Sequence, residues 1–433
     1  MGPSAVFGAN GVLGKLEALR YKCLRHVSCD LSNFHVLVGP NASGKSTFLD
    51  VFAFLSDLVR NGPEGAVRLR TPDCADLLWL READRFELAV EAVIPKELAH
   101  EFQAPGYSRL RYETAVGVSG PERQITIFSE TVRLKGSAER GGQGARQRNL
   151  FPATVSPPNT IITAGAMKGQ KTVVNKVPGG NDNFYPEPKN GVKKGWDSSF
   201  KLGPQKSALR NLPDDETRFP ASVWLKNFLT NSVQTVRLNA SVMRQPSPPG
   251  GPTTFRTDGS NLPWVIHALE ESRPSQFELW LGHVRSALPD LEGIRTIERE
   301  EDRHRYIKLT YANGLEIPSW LVSDGTLRFL AFTILAYLPD LEGVYLIEEP
   351  ENGIHPKALE HVYRSLSSVY TAQVLVATHS PVFLGLAEPS QILCFAKDQE
   401  GATDIVRGDE HPKLKDWRGE VNLGVLLASG VLG

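Results

Sequence analysis

The stretch NFHVLVGPNASGKSTFLDVFAFL, residues 33–55, decides the fold class. Residues 35–38 favour a β-strand, a glycine-bounded turn follows them, and an apolar-rich segment typical of a helix begins near Gly44. A strand that passes through a tight turn directly into a helix is the local unit of α/β proteins. The sequence therefore predicts an α/β fold around this stretch.

The turn itself, GPNASGKS at residues 39–46, matches every fixed position of the pattern G-x-x-x-x-G-K-[ST]. Backbone N–H groups must approach a phosphate closely, which glycines permit, and the helix N-terminus adds a positive dipole. We therefore predict a phosphate loop in which Lys45 reaches the β- and γ-phosphates and Ser46 holds Mg²⁺. The alternative is an ordinary Gly-rich turn. The predicted nucleotide-contacting residues are Gly39, Pro40, Asn41, Ala42, Ser43, Gly44, Lys45, Ser46 and Thr47.

A second polar cluster follows an apolar run in LIEEPENGIHP, residues 346–356. Adjacent carboxylates repel each other, and stability does not call for them at the end of a buried strand. If residues 344–347 form a core strand beside the phosphate loop, its carboxyl end delivers Glu348 and Glu349 to the nucleotide and its metal. One carboxylate would stabilise the metal, and the next would polarise the attacking water as general base. A solvated acidic turn is the alternative.

Two more stretches carry candidate site residues. His379 in VLVATHS ends another apolar run, where a histidine can sense a γ-phosphate, although a strand-end histidine can equally be structural. Ser323 and Gly325 in LVSDGT precede an apolar helix and offer a hydroxyl and bare backbone N–H groups to a phosphate. Taken alone, LVSDGT would be no more than a capped helix start.

The composition bounds the class of protein. The chain has 433 residues and a net charge of −1, and near-neutrality argues against nucleic-acid binding through overall charge. Its apolar runs are too short to span a bilayer, and no signal peptide opens the chain, so we expect a cytoplasmic protein without a membrane partner. The cysteines have no metal-ligand spacing and are expected to be free thiols: Cys23, Cys29, Cys74 and Cys394.

Patterning along the chain predicts its secondary structure. Residues 86–135 carry β-branched runs between Gly and Pro breaks, which indicates an antiparallel sheet. Helices are expected at 220–231 and 262–288. Two continuous apolar runs, GVYLIEE and AQVLVATHS, flank a helix that begins at Pro356, which predicts a strand–helix–strand unit of parallel strands. Within that helix the buried face should consist of Leu359, Val362, Leu366 and Val369.

The domain prediction has three parts. Residues 1–135 form a first lobe with the phosphate loop and the antiparallel strands. Residues 136–315 form an inserted arm, loop-rich, basic and partly flexible over 136–215 and helical over 216–290. Residues 316–433 form a second lobe with the LVSDGT stretch, the paired glutamates, His379 and a C-terminal tail.

In this order, GPNASGKS, SDGT, LIEEPENGIHP and ATHS resemble the ATP-binding-cassette (ABC) ATPases of the RecF, SMC and OLD branch, AAA-family proteins that include subunits of bacterial anti-phage defence systems. The resemblance covers about 17–60 and 315–400. It implies an ABC-type ATPase head with a mixed sheet, an antiparallel β subdomain and an inserted arm. It also implies head-to-tail dimerisation, with each ATP between the phosphate loop of one subunit and the signature of the other.

The resemblance also assigns roles. Lys45 and Ser46 would bind phosphate and Mg²⁺, Glu348 would take the Walker B metal role, and Glu349 would be the catalytic base. Ser323 and Gly325 would contact the γ-phosphate in trans, His379 would be the switch histidine, and Asn352 and His355 would fall in the D-loop. The chain departs from the transporter pattern at Asp324, Thr326 and Glu348, and no Q-loop glutamine can be placed between 56 and 130.

The function implied is that of an ATPase without a built-in effector. The residues after His379 are too few for the TOPRIM nuclease of OLD proteins, and no sustained heptad pattern spans 60–315. We expect an ATP-hydrolysing sensor or regulatory subunit of a bacterial defence system that forms a homodimer or higher oligomer and acts with a separately encoded effector such as a nuclease. The alternatives are a RecF-like repair ATPase whose basic arm contacts DNA, and a transporter subunit, which SDGT in place of LSGGQ disfavours.

Overall fold

The computed structural model describes residues 12–100, 102, 106–136, 150–154, 156–177, 179–188 and 197–413. The chain divides into two compact units. The first unit contains the chain up to Val233 and again from Pro389, and the second contains Gln234–Glu388. Part of the basic arm, including Lys189, Lys193 and Lys194, and the tail from residue 414 lie outside the described residues.

The strands, in chain order, are β1 (Leu13–Tyr21), β2 (Leu24–Asp30), β3 (Phe34–Val38), β4 (Arg85–Val93), β5 (Tyr107–Ser119), β6 (Gln124–Gly136), β7 (Gln170–Lys176), β8 (Asp182–Phe184), β9 (Ser198–Phe200), β10 (Val233–Val236), β11 (Leu291–Glu298), β12 (Arg305–Tyr311), β13 (Glu316–Pro318), β14 (Val344–Glu348), β15 (Gln373–Ala377), β16 (Ile392–Lys397) and β17 (Thr403–Arg407). The helices are α1 (Lys45–Arg68), α2 (Lys96–Ala99), α3 (Pro220–Asn231), α4 (Ala240–Met243), α5 (Leu262–Ser272), α6 (Pro274–Ala287), α7 (Asp324–Ile334), α8 (Pro356–Ser367) and α9 (Pro381–Leu386). None of the helices in the described part of the chain is long and apolar enough to span a membrane.

The first unit contains an eight-stranded sheet in the order β2-β1-β4-β5-β6-β7-β8-β9, and all its neighbouring strands are antiparallel. The antiparallel sheet predicted over 86–135 is therefore confirmed. One face of the sheet is apolar, with Leu110 and Leu134 fully buried. The other face carries charged side chains, including Glu113 and Arg133, that are also buried.

The segment 136–215, predicted to be loop-rich, contributes β7, β8 and β9 to this sheet. Val173 and Val174 of β7 are completely buried, and Val174 lies opposite Val132 of β6. β8 and β9 have only three residues each, and the seven residues of β7, QKTVVNK, include only two apolar ones, so their own sequences carry a weak signal. They form because β6 offers unpaired backbone groups along its edge. The limits predicted for the three parts of the chain stay predictions.

The first unit also contains the strand that leads into the turn at residues 39–46. β3 is buried at all five positions and pairs in parallel with β16, which in turn pairs antiparallel with β17. The predicted mixed sheet is thus present. On its face, Phe48 of α1 packs edge-on against Phe395 of β16, with ring centroids 5.5 Å apart. The α/β prediction for this stretch is confirmed.

The second unit is built around the predicted strand–helix–strand unit. β14 and β15 are parallel and in register from Val344 opposite Gln373 to Glu348 opposite Ala377. The helix between them, α8, buries three of the four residues predicted for its apolar face, Leu359, Val362 and Leu366. The fourth, Val369, is buried but lies beyond the end of the helix at Ser367. The helix predicted over 262–288 is interrupted between α5 and α6, because Pro274 cannot continue the hydrogen-bond ladder of α5. The helix predicted at 220–231 is α3, which belongs to the first unit.

Candidate functional site

The turn at 39–46 has a backbone that only glycine accommodates at two positions. Gly39 has φ 149° and Gly44 has φ 106°. A Cβ at Gly39 would lie 2.2 Å from the carbonyl oxygen of Phe395, and one at Gly44 would lie 2.4 Å from Thr403 Oγ1. Both the backbone angle and the lack of space therefore require glycine. The two fixed glycines of the sequence pattern each have a structural reason.

Lys45 and Ser43 contribute a buried charge and a buried hydroxyl to this turn. The Lys45 side chain folds back over the turn, and its Nζ donates hydrogen bonds to the carbonyl oxygens of Gly39, at 2.8 Å, and Pro40, at 2.9 Å. Lys45 is buried, so its charge is concentrated inside the turn. Ser43 Oγ is also buried and has no hydrogen-bond partner among the described residues. Such an unsatisfied group costs about 1–3 kcal/mol, which a bound phosphate can recover.

The residues of the turn fit a nucleotide phosphate with Mg²⁺. The turn leads into α1, whose first backbone N–H groups have no carbonyl of their own helix to bind. The N-cap residue, Gly44, has no side chain that could accept hydrogen bonds from them. Ser46, in the first turn, is exposed and supplies a hydroxyl oxygen, the kind of ligand Mg²⁺ prefers. No group of three or more His, Cys, Asp or Glu side chains that could hold a metal occurs in the described part of the chain.

Thr403 of β17 holds the turn in place, and sequence reasoning did not identify it. Its Oγ1 donates to the carbonyl oxygen of Ser43 at 2.9 Å, and its N–H donates to the carbonyl oxygen of Cys23 at 3.0 Å. Cys23 Sγ in turn donates to Thr47 Oγ1 at 3.5 Å. One threonine therefore joins the turn at 39–46 to the hairpin between β1 and β2. Nothing in the local sequence around Thr403 signals this contact.

The paired glutamates lie at the carboxyl end of β14. Glu348 is the last, exposed residue of the strand, opposite Ala377 of β15. Glu349 leaves the strand with φ 48°, a strained angle for a residue with a side chain, while its N–H donates to the carbonyl oxygen of Ala377 at 2.8 Å. Its Oε2 accepts a hydrogen bond of 2.6 Å from Asn352 Nδ2. The turn thus holds the Glu349 carboxylate in a defined, exposed position.

Glu351 is a third carboxylate whose role the sequence did not reveal. Its Oε1 accepts hydrogen bonds from Thr378 Oγ1 at 2.8 Å and from the His379 N–H at 2.7 Å. Its Oε2 is buried without a partner in the described part of the chain. Glu351 therefore ties the turn after β14 to the turn after β15, where the His379 side chain is exposed. The only available signal was a third glutamate in the same short stretch.

The start of α7 contacts the same turn within the second unit. Ser323 is the N-cap of α7, and its Oγ accepts a hydrogen bond from the Thr326 N–H at 3.2 Å. A Cβ at Gly325 would lie 2.0 Å from the carbonyl oxygen of Gly353, so this position also requires glycine. Ser323 and Gly325 thus lie beside the loop that follows the paired glutamates. The capped-helix interpretation is correct in geometry, and it leaves Ser323 exposed.

The predicted site residues divide between the two units. Residues 39–47 lie in the first unit, and Ser323, Gly325, Glu348, Glu349 and His379 lie in the second. His355, expected in the D-loop, is the N-cap of α8, and its Nδ1 accepts the Lys357 N–H at 3.3 Å. Each unit therefore contains one cluster of predicted site residues, which lies next to a buried strand and the helix that follows it.

Comparisons with known proteins agree with this architecture. A family model described as "AAA domain, putative AbiEii toxin, Type IV TA system" matches residues 34–385. No curated protein sequence matches the chain. A solved Smc head bound to the C-terminal winged-helix domain of ScpA is 14% identical, with a TM-score of 0.52, over 91% of this chain and 96% of that one. A second Smc head from Pyrococcus furiosus, with an extended coiled coil and the C-terminal domain of ScpA, is 13% identical, with a TM-score of 0.49, over 91% and 95%.

The family model covers most of the chain, and the first of these structures shows that the fold is that of an SMC-type ATPase head. The turn at 39–46, with its buried lysine and two obligatory glycines, lies within the residues that the family model matches. The chain belongs to the family of AAA ATPase domains described as "putative AbiEii toxin, Type IV TA system".

Proposed function

We propose that this protein is an ATP-hydrolysing regulatory subunit of a bacterial anti-phage defence system that acts with a separately encoded effector such as a nuclease. The observation that carries the ATPase part is the phosphate loop, in which the buried Lys45 ammonium caps two loop carbonyls beside the unsatisfied Ser43 hydroxyl. The defence setting is supported by the family description, which names a toxin of a toxin–antitoxin system.

Some of the site residues are assigned to binding of the phosphates and the metal, and one, Glu349, is assigned to proton transfer. Lys45 neutralises the β- and γ-phosphates, and Ser46 and Glu348 are the oxygen ligands assigned to Mg²⁺. A Mg²⁺ ion held by these two residues would draw negative charge away from the phosphate oxygens. Glu349 accepts the proton of the attacking water on Oε1, because Asn352 already occupies Oε2. His379, held through its backbone by Glu351, is assigned to sense the γ-phosphate.

We assign Ser323 and Gly325 to the γ-phosphate of an ATP bound by a second copy of the chain. The N-terminus of α7, an 11-residue helix, presents a hydroxyl and N–H groups with a positive dipole. Ser323 is exposed, so it is accessible to a partner. ATP would then join two copies head-to-tail, so that dimerisation would depend on bound ATP.

Mixing two inactive variants tests this arrangement. Ser323→Arg should block the start of α7, at Ser323 and Gly325, by the size and charge of the arginine. Lys45→Ala should remove phosphate binding. Neither variant alone therefore has an intact composite site. In the mixture, a heterodimer should contain one site built from the intact Lys45 of one chain and the intact Ser323 of the other. We expect measurable ATPase activity from the mixture and close to none from either variant alone.

The control is a mixture of Ser323→Arg with a Ser323→Arg, Lys45→Ala double variant, which has no intact composite site in any pairing. Association of the chains is followed by light scattering in the presence of ATP. Folded, associating variants that recover nothing on mixing would exclude the composite site while leaving ATP binding by the phosphate loop untouched.

Thr403→Val tests whether β17 positions the phosphate loop. Valine has the shape of threonine but leaves the buried carbonyl of Ser43 without its hydrogen bond, a cost of about 1 kcal/mol or more. We expect ATP affinity to fall by about fivefold to tenfold, measured by calorimetric titration. Thr403→Ser keeps the hydroxyl and should bind ATP like the unmodified protein. If the valine variant also binds normally, Thr403 has no positioning role.

A further inference from the structure

A groove lies on the charged face of the eight-stranded sheet of the first unit. Its volume is about 630 Å³, within the range of roughly 300–1,000 Å³ that small-molecule sites occupy. Residues of strands β6 and β7 line it, together with four residues of the segment 162–166. None of the phosphate-loop residues lines it. The groove therefore belongs to no site described so far.

The charges that line the groove are all positive: Arg133, Lys171 and Lys176, with no carboxylate among the lining residues. Lys176 is neutralised by Asp182, whose Oδ1 lies 2.8 Å from its Nζ. For Arg133 and Lys171, no ion pair with a carboxylate occurs within the described part of the chain. Two positive charges in the lining are thus left without a counter-ion there.

Arg133 is the more constrained of the two cations. It is 4% exposed, and its Nη1 and Nη2 donate to the carbonyl oxygens of Gly165, at 2.7 Å, and Thr163, at 2.8 Å. Its Nε is buried and has no acceptor among the described residues. Carbonyl dipoles orient a guanidinium but do not cancel its charge, and a buried charge without a counter-ion is costly. Arg133 is therefore a buried cation whose charge no described carboxylate neutralises in an ion pair.

Lys171 places a second charge at the groove. Its Nζ lies 5.5 Å from the centroid of the Tyr185 ring, a cation–π contact that restricts the side chain without neutralising it. Thr131 lies opposite Asn175, and Arg133 lies opposite Thr172, so the lining also presents hydroxyl and amide groups. These groups can hydrogen-bond the polar remainder of a ligand.

We propose that this groove binds a small polar molecule that carries a phosphate monoester. Two uncompensated positive charges match a phosphate monoester, with about −1.5 to −2 charges at neutral pH, better than a single carboxylate. The phosphate lies between Arg133 and Lys171, and the rest of the molecule lies along Thr131, Thr172 and Asn175. Such a ligand is a signal or metabolite that binds the chain independently of ATP.

The test uses the full chain with Lys45→Ala, which removes the phosphate loop as a competing phosphate site. Ribose 5-phosphate is the probe, and its binding is measured by calorimetry. Lys171→Gln should weaken binding by about tenfold or more, because one of the two charges is lost. Lys171 is partly exposed, so this variant should fold. Lys168→Gln is the matched control, since Lys168 is exposed and does not line the groove.

Each outcome decides the proposal. Binding that falls in Lys171→Gln, persists in Lys168→Gln and returns in Lys171→Arg supports it. It is overturned if neither ribose 5-phosphate nor inorganic phosphate binds at millimolar concentration, or if both glutamine variants lose affinity equally. Acetate binding as tightly as phosphate, or a single-stranded oligonucleotide binding far more tightly than ribose 5-phosphate with the same dependence on Lys171, would also overturn it.

Discussion

Glu349→Gln is expected to lower the rate of ATP hydrolysis by about 100-fold or more while ATP still binds. The amide keeps the size and shape of the carboxylate, and its oxygen can still accept the hydrogen bond that Asn352 donates to Glu349 Oε2. It cannot accept a proton from water, so only the chemical step should be lost. The measurement is steady-state phosphate release together with an ATP binding isotherm for the same preparation.

The control for this variant is Glu342→Gln, because Glu342 is an exposed glutamate just before β14 and lies outside the turn. It should hydrolyse ATP normally. With ATP trapped, the Glu349→Gln protein should also remain dimeric for longer than the unmodified protein. Normal hydrolysis by Glu349→Gln would remove the general-base role, and the strained turn at this residue would need another explanation.

Lys45→Ala is expected to reduce ATP affinity by about 100-fold or more, corresponding to about 3 kcal/mol, the upper range for hydrogen bonds to charged groups. The variant loses the only buried ammonium described within the loop, together with its bonds to the carbonyl oxygens of Gly39 and Pro40. Those carbonyls would then face the phosphates without a cation between them. Isothermal titration with ATP and Mg²⁺ measures the effect.

Arg68→Ala is the matched control, since Arg68 is an exposed basic residue in the last turn of the same helix, α1. It should bind ATP with unchanged affinity. Circular dichroism and thermal unfolding establish that the Lys45 variant is folded. Full-strength ATP binding by a folded Lys45→Ala protein would contradict the assignment of residues 39–46 as a phosphate loop.

The sequence by itself determined the elements whose signals are local. A β-favouring run, a glycine-bounded turn and an apolar-rich segment predicted β3, the turn at 39–46 and α1, because the turn geometry demands glycine at Gly39 and Gly44. Continuous apolar runs predicted the parallel pair β14 and β15, because strands buried on both faces cannot alternate with polar residues. The paired glutamates were also recognisable from local sequence, because two adjacent carboxylates directly follow a continuous apolar run.

Only the tertiary structure decided contacts between distant residues. Thr403 bonds to Ser43, 360 positions earlier, and no pattern near either residue predicts the other. The sequences of β7–β9 carry weak β-strand signals, and these strands extend the sheet from the edge of β6. Glu351 became a link between two turns because parallel pairing brings the carboxyl ends of β14 and β15 together. Local sequence sets backbone preference, but which side chains meet depends on how whole elements pack against each other.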